Sequence, residues 1–74
     1  MKKLAPLKSI YSFIAVAETG SMTEAANELS VSHSAVSQAI KSLETQIGQA
    51  LFIRAGRKVV LNAAGRRYYK QVAP

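Results

Sequence analysis

The sequence predicts a small, mainly α domain. Three observations carry that expectation. Apolar residues recur at three- and four-residue steps in three successive stretches, each bounded by residues that cap or stop helices. Two short β-leaning segments then flank Ala55-Gly56-Arg57. The chain has 74 residues, enough for one small core and no more.

The elements follow in order. Leu7, Ile10, Ile14 and Ala17, with Tyr11 and Phe13 flanking, place one broad apolar face on a helix over about 7–19, and Gly20 stops it. Ser21-Met22-Thr23-Glu24 reads as a capping box, in which Ser21 accepts from the Glu24 backbone N–H and the Glu24 side chain bonds back to Ser21. A second helix over about 22–29 would bury Met22, Ala25, Ala26 and Leu29, and Ser30-Val31-Ser32 breaks it. Ser32 is then the N-cap of a third helix with Val36, Ile40, Leu43 and Ile47 buried, Ala35 and Ala39 alongside, and Gly48 at its end. Leu51-Phe52-Ile53-Arg54 and Lys58-Val59-Val60-Leu61 form a β-hairpin, with Arg54, Arg57 and Lys58 at or near its tip. Asn62 caps a fourth helix running from about Ala63 to Val72, which is expected to be the start of a longer one. No internal repeat, low-complexity tract or interdomain linker is visible.

Two short helices joined by a tight turn at Leu29–Ser32 make a helix-turn-helix, and the hairpin adds a wing, so the expected architecture is a winged helix-turn-helix. The expected division is a domain over 1–61, with the helix-turn-helix at about 22–41 and the wing at about 51–61, followed by the start of a linker helix over 62–74.

Composition narrows the function. Hydrophobic residues make up 49% and charged residues 19%, the balance of a folded chain and not of a disordered tail. There is no Cys, which removes a disulfide scaffold, a thiolate zinc site and a cysteine nucleophile together and fits a reducing cytoplasm. The longest apolar run falls well short of the ~18 residues that span a bilayer, and Met1-Lys2-Lys3 opens no signal-peptide core, so neither insertion nor export is expected. The net charge is +6 and the pI about 10.1, which points to a polyanionic partner. Lys2, Lys3 and Lys8 crowd the start, all four acids (Glu18, Glu24, Glu28, Glu44) lie in the middle, and Arg54, Arg57, Lys58, Arg66, Arg67 and Lys70 crowd the last third. One part of the fold should therefore face anions.

The third helix carries the chemistry. Opposite its apolar stripe lie His33, Ser34, Ser37, Gln38 and Lys41, four of the five uncharged hydrogen-bonding side chains. Ser costs helix stability relative to Ala, so a Ser- and His-bearing stripe calls for a ligand. A helix fits the DNA major groove, where Gln38 can donate to and accept from an adenine edge and Lys41 can reach guanine or a phosphate. Small Ser34 and Ser37 admit close approach, and the free N–H groups from Ser32 onward favour a phosphate. Arg54, Arg57 and Lys58 would hold flanking backbone or enter the minor groove.

These residues resemble the N-terminal domain of the LysR-type transcriptional regulators. The run Leu7, Ile10, Phe13, Val16-Ala17-Glu18, Gly20-Ser21, Ala25-Ala26, Leu29, Ser32, Ser34-Ala35-Val36-Ser37, Ile40, Leu43-Glu44, Ile47-Gly48, Leu51-Phe52 and Arg54 follows that family's signature at its spacing, and Leu61 and Ala64-Gly65 continue it. The pattern departs at His33 where Gln is common, at Gln38 where Arg is frequent and at Asn62 where Thr is usual. The resemblance implies a bacterial, cytoplasmic, nucleoid-associated regulator whose helix-turn-helix is Met22–Lys41. It further implies a reading helix at Ser32–Ile47, a homodimer formed through the linker helix, and a small-molecule effector bound only by a C-terminal domain absent from this sequence.

Other readings are weaker on the residues. His33 has no second His, no Cys and no Asp at ligand spacing, so no metal is expected. The serines lack a Gly-x-Ser-x-Gly elbow, so no catalysis and no cofactor are expected. Tyr68 and Tyr69 are read as packing against the core or a partner helix, whereas Arg66 and Arg67 fit phosphate contact and plain solvation equally. A membrane-surface binder would need a cationic face opposite a bulky apolar one, which the third helix lacks. The alternative function is a basic helical protein-interaction module without sequence-specific DNA binding.

Overall fold

Three of the four helices start on a side chain that accepts a backbone N–H. In the computed structural model, which describes residues 7–74, the Ser21 hydroxyl accepts from the Glu24 N–H at 3.1 Å, the Ser32 hydroxyl from Ala35 at 3.0 Å and Asn62 Oδ1 from Gly65 at 2.7 Å. The resulting elements are α1 (Leu7–Thr19), α2 (Met22–Leu29), α3 (His33–Ile47), β1 (Phe52–Ala55), β2 (Lys58–Leu61) and α4 (Ala63–Val72). Lys2 and Lys3 lie outside the described residues.

The capping box at Ser21 is only half made. The Ser21 N–H donates to Thr19 Oγ1 at 3.2 Å and not to the Glu24 carboxylate, because the threonine hydroxyl ending α1 is already beside it. The α2–α3 turn depends on Ser30, which closes α2 in the left-handed region at φ 58 and lets the Val31 N–H reach back to the Ala26 carbonyl at 3.0 Å.

The core lies where α1, α2 and α3 meet the base of the hairpin and α4. Phe13, Val16, Val36, Leu43 and Leu51 are its largest fully buried side chains, with Ala25, Ala26, Ile40 and Val59 around them. The face expected of α1 is corrected here: its buried residues are Ser9, Ser12, Phe13, Ala15 and Val16, whereas Leu7 is 66% exposed and Tyr11 57%. Apolar residues spread so widely around α1 that periodicity offers two stripes. Packing selects the one containing Phe13, whose ring meets Phe52 at 5.4 Å and Tyr68 edge-on at 5.1 Å. Ala35, expected beside the α3 stripe, is exposed, and Ile47 is half-buried.

β1 and β2 pair antiparallel in the register Phe52↔Leu61, Ile53↔Val60, Arg54↔Val59 and Ala55↔Lys58. The connection is thus Gly56-Arg57 and not the expected Ala55-Gly56-Arg57, since Ala55 still pairs. Gly56 supplies the positive φ (65°) that the first central position of a type II′ turn requires. Leu51 precedes the strand instead of belonging to it, and its side chain is fully buried.

Candidate nucleic-acid interface

The helical repeat sets His33, Ser34, Ser37, Gln38 and Lys41 on one side of α3, away from Val36, Ile40 and Leu43, which the core buries. His33, Ser34, Gln38 and Lys41 are exposed, and Ser37 is half-buried. Ser32 is exposed at the helix start, with its hydroxyl oxygen committed to the Ala35 N–H. The structure therefore keeps the expected face together, with Ser32 and Ser37 at its structural edge.

Arg54, Arg57 and Lys58 are all exposed on the hairpin. Strand alternation gives them different directions. Arg54 shares its face with Val59 and lines a shallow cleft of about 200 Å³ with Met22, Ile40 and Glu44, which sets it on the α3 side of the wing. Arg57 occupies the turn. Lys58 lays its aliphatic stem beside Gly20, its Cδ 3.7 Å from where a Cβ there would stand.

The wing is tied to the helices at both edges. On the β2 side the Val59 N–H donates to the Gly20 carbonyl at 3.0 Å. On the β1 side the Leu51 N–H donates to Glu44 Oε2 at 2.8 Å, and the Leu51 carbonyl accepts from the Asn62 N–H at 3.0 Å. A Glu on a helix reads in sequence as a helix-surface or capping charge, and Glu44 departs from that. It is half-buried and bonded to the root of the wing instead, a role hidden from sequence because the path from Gly48 to Leu51 has no repeating pattern.

α4 docks back on α1. Tyr69 donates its hydroxyl to Glu18 Oε2 at 2.9 Å, and that bond, ahead of desolvation and the charge of Glu18, raises the phenol above the usual tyrosine value of 10.0. Partial burial raises Tyr68 as well. Both tyrosines pack against the core, as expected. Arg66 reaches the Leu61 carbonyl at 3.3 Å, which gives it a local partner, while Arg67 is exposed beside a cleft with Tyr68 and Gln71.

Among the described residues no three or more His, Asp or Glu side chains stand together as a metal cluster. No helix among them is long and apolar enough to cross a membrane.

Comparison with known proteins converges on one group. The family model described as bacterial regulatory helix-turn-helix protein, lysR family, matches residues 7–66. The chain is 52% identical over 60 residues to an HTH-type transcriptional regulator of Azotobacter vinelandii, covering 81% of this chain and 42% of that protein. It is 48% identical over 60 residues to the HTH-type transcriptional activator AmpR of Citrobacter freundii, covering 81% of this chain and 21% of that one. Among solved structures, the DNA-binding domain of CbnR in complex with DNA superposes with a TM-score of 0.86 at 34% identity, over 90% of this chain and 77% of that one. The chain thus spans less than half the length of these two regulators.

Proposed function

Because the chain belongs to the lysR family of bacterial regulatory helix-turn-helix proteins, we propose that it reads double-stranded DNA with α3 in the major groove and the wing on the flanking backbone or minor groove. The chain is a transcription-regulator DNA-binding domain of that family, and its relatives are regulators, not enzymes. The observation that carries the proposed geometry is the exposed face of His33, Ser34, Gln38 and Lys41, with Arg54 exposed on the hairpin beside a cleft that Ile40 and Glu44 of the same helix also line.

Roles follow from chemistry. Gln38, exposed on this face, pairs its amide with a base edge; small Ser34 and Ser37 allow the helix backbone close to the groove floor; Lys41 reaches guanine or phosphate. Ser32 and His33 meet the backbone where the first N–H groups of α3 are free. Arg54, Arg57 and Lys58 contribute affinity without sequence information. Residues 62–74 open the helix through which two copies pair on an interrupted palindrome, and the whole regulator works in the cytoplasm, taking its small-molecule signal outside residues 1–74.

Duplex binding measured across salt tests this. Each phosphate neutralised contributes about 0.9 to the slope of log affinity against log salt, so several cations at work give a steep slope between roughly 50 and 200 mM. A flat slope, or no binding, would return a protein-interaction module to the front.

A further inference from the structure

We infer that Glu44 is a positioning residue for DNA binding: its carboxylate, through the Leu51 N–H, holds the wing in register with the reading helix. This rests on the proposed reading of α3 and the wing as the two DNA-contacting elements.

The argument starts from where Glu44 stands. It lies one turn beyond Lys41 on α3, and it holds both ends of the segment that leaves the helix. Its backbone carbonyl accepts from the Gly48 N–H at 2.8 Å and the Gln49 N–H at 3.1 Å, which closes α3. Its side chain accepts from the Leu51 N–H at 2.8 Å, one residue before β1 begins. Leu51 is fully buried, so its N–H has no water to turn to, and a buried donor without a partner is costly. The same residue passes the constraint on, because its carbonyl accepts from the Asn62 N–H that leads out of β2. One carboxylate thereby fixes where both strands leave the body of the domain.

The opposite edge of the wing is held to the α1–α2 corner by Val59 and Gly20. Arg66 of α4 reaches the Leu61 carbonyl at the end of β2 as well, but among the described residues the tie from the root of the wing to α3 is Glu44. Glu44 also lines the cleft that carries Arg54. A wing released at Leu51 can swing Arg54 away from the groove face while the core still holds the chain together. Affinity from wing cations should then fall, and the base preference read by α3 should remain.

The test measures duplex affinity of the whole 74-residue chain against salt, for the wild type and for Glu44→Gln, Glu44→Ala and Glu44→Asp. Gln and Ala remove the same charge, but only Gln keeps an acceptor oxygen at the same reach. Asp keeps the charge and draws the oxygen back by one methylene. The expected result is a wild-type slope for Glu44→Gln, and for Glu44→Ala a slope lower by about 0.9 for each wing phosphate contact released. Arg54→Ala should lower the slope by about 0.9 in the wild type and leave it unchanged in Glu44→Ala. The rank order of half-site variants should stay the same throughout. Should Glu44→Ala fail to fold by circular dichroism, Glu44→Asp reads the same loss against Glu44→Gln. Equal slopes for Gln and Ala (or Asp), with Arg54→Ala acting alike in each, overturn the inference while the DNA-binding reading stands. A wild-type chain without salt-dependent duplex binding overturns both.

Discussion

Gly65 lies so close to Leu51 that a Cβ on it would overlap the Leu51 carbonyl oxygen and stand 2.9 Å from Leu61 Cδ2. α4 therefore crosses the root of the wing at a point where only a hydrogen fits, and the buried Leu51 backbone is the surface it crosses. The obstacle is backbone, so it cannot rotate aside. Gly65→Ala should destabilise the domain by about 1–3 kcal/mol despite the better helix propensity of Ala. Chemical denaturation checks this; a more stable Ala variant would show that α4 sits farther from Leu51 than described.

Asn62 joins the same crossing with both ends of its amide. Its Oδ1 caps α4 at the Gly65 N–H, and its Nδ2 donates to the Ala50 carbonyl at 2.9 Å. Asn62→Ala should cost about 0.5–2 kcal/mol. Asn62→Thr keeps an acceptor for the cap but has no group to reach Ala50, so it should recover part of that loss. If Thr and Ala were equivalent in denaturation, the cap would carry none of the effect.

The elements were legible in the sequence wherever a local signal exists. Ser32, Gly48 and Asn62 act at helix ends as their side chains and backbone freedom dictate, and the β segments needed only their turn and propensity. The α1 face was not legible, because Leu7, Ile10 and Ile14 are as apolar as Phe13 and Val16, and the choice between stripes is made by Phe52 and Tyr68, distant in sequence. The candidate interface followed from composition: neutral polar residues at exposed helical spacing are legible, and His33, Ser34, Gln38 and Lys41 are exposed together. Glu44 was not, since its partner is a backbone N–H on an irregular segment and a Glu on a helix reads by default as solvated.

Tyr69 gives the fold a dependence on alkaline pH. Its phenol is raised by the Glu18 bond, so the folded chain holds that proton more tightly than the unfolded chain does. The bond's contribution is full below the usual value of 10.0 and is lost as pH rises through the raised folded value. The thermal midpoint of the wild type should exceed that of Tyr69→Phe at about pH 8, and the gap should close above pH 10. A gap that widened with pH would contradict the assignment, because Glu18 would then favour the ionised phenol.

Gln38 and Arg54 separate base reading from backbone holding. Gln38→Ala should relax preference at one base position by about 1–3 kcal/mol and leave binding to random duplex nearly unchanged. Arg54→Ala should weaken specific and random duplexes alike and lower the salt slope by about 0.9. Competition binding with a specific and a scrambled duplex checks both. If Gln38→Ala weakened the two duplexes equally, α3 would not be the reading helix.

The central claim is that α3 reads sequence, and selection from a pooled random-sequence duplex library, bound by the 74-residue chain at two salt concentrations and then sequenced, tests it most directly. The account predicts enrichment of a short half-site that survives the higher salt, because base contacts persist where counterion release no longer helps. A bound pool that stays random in sequence at both salts would contradict it.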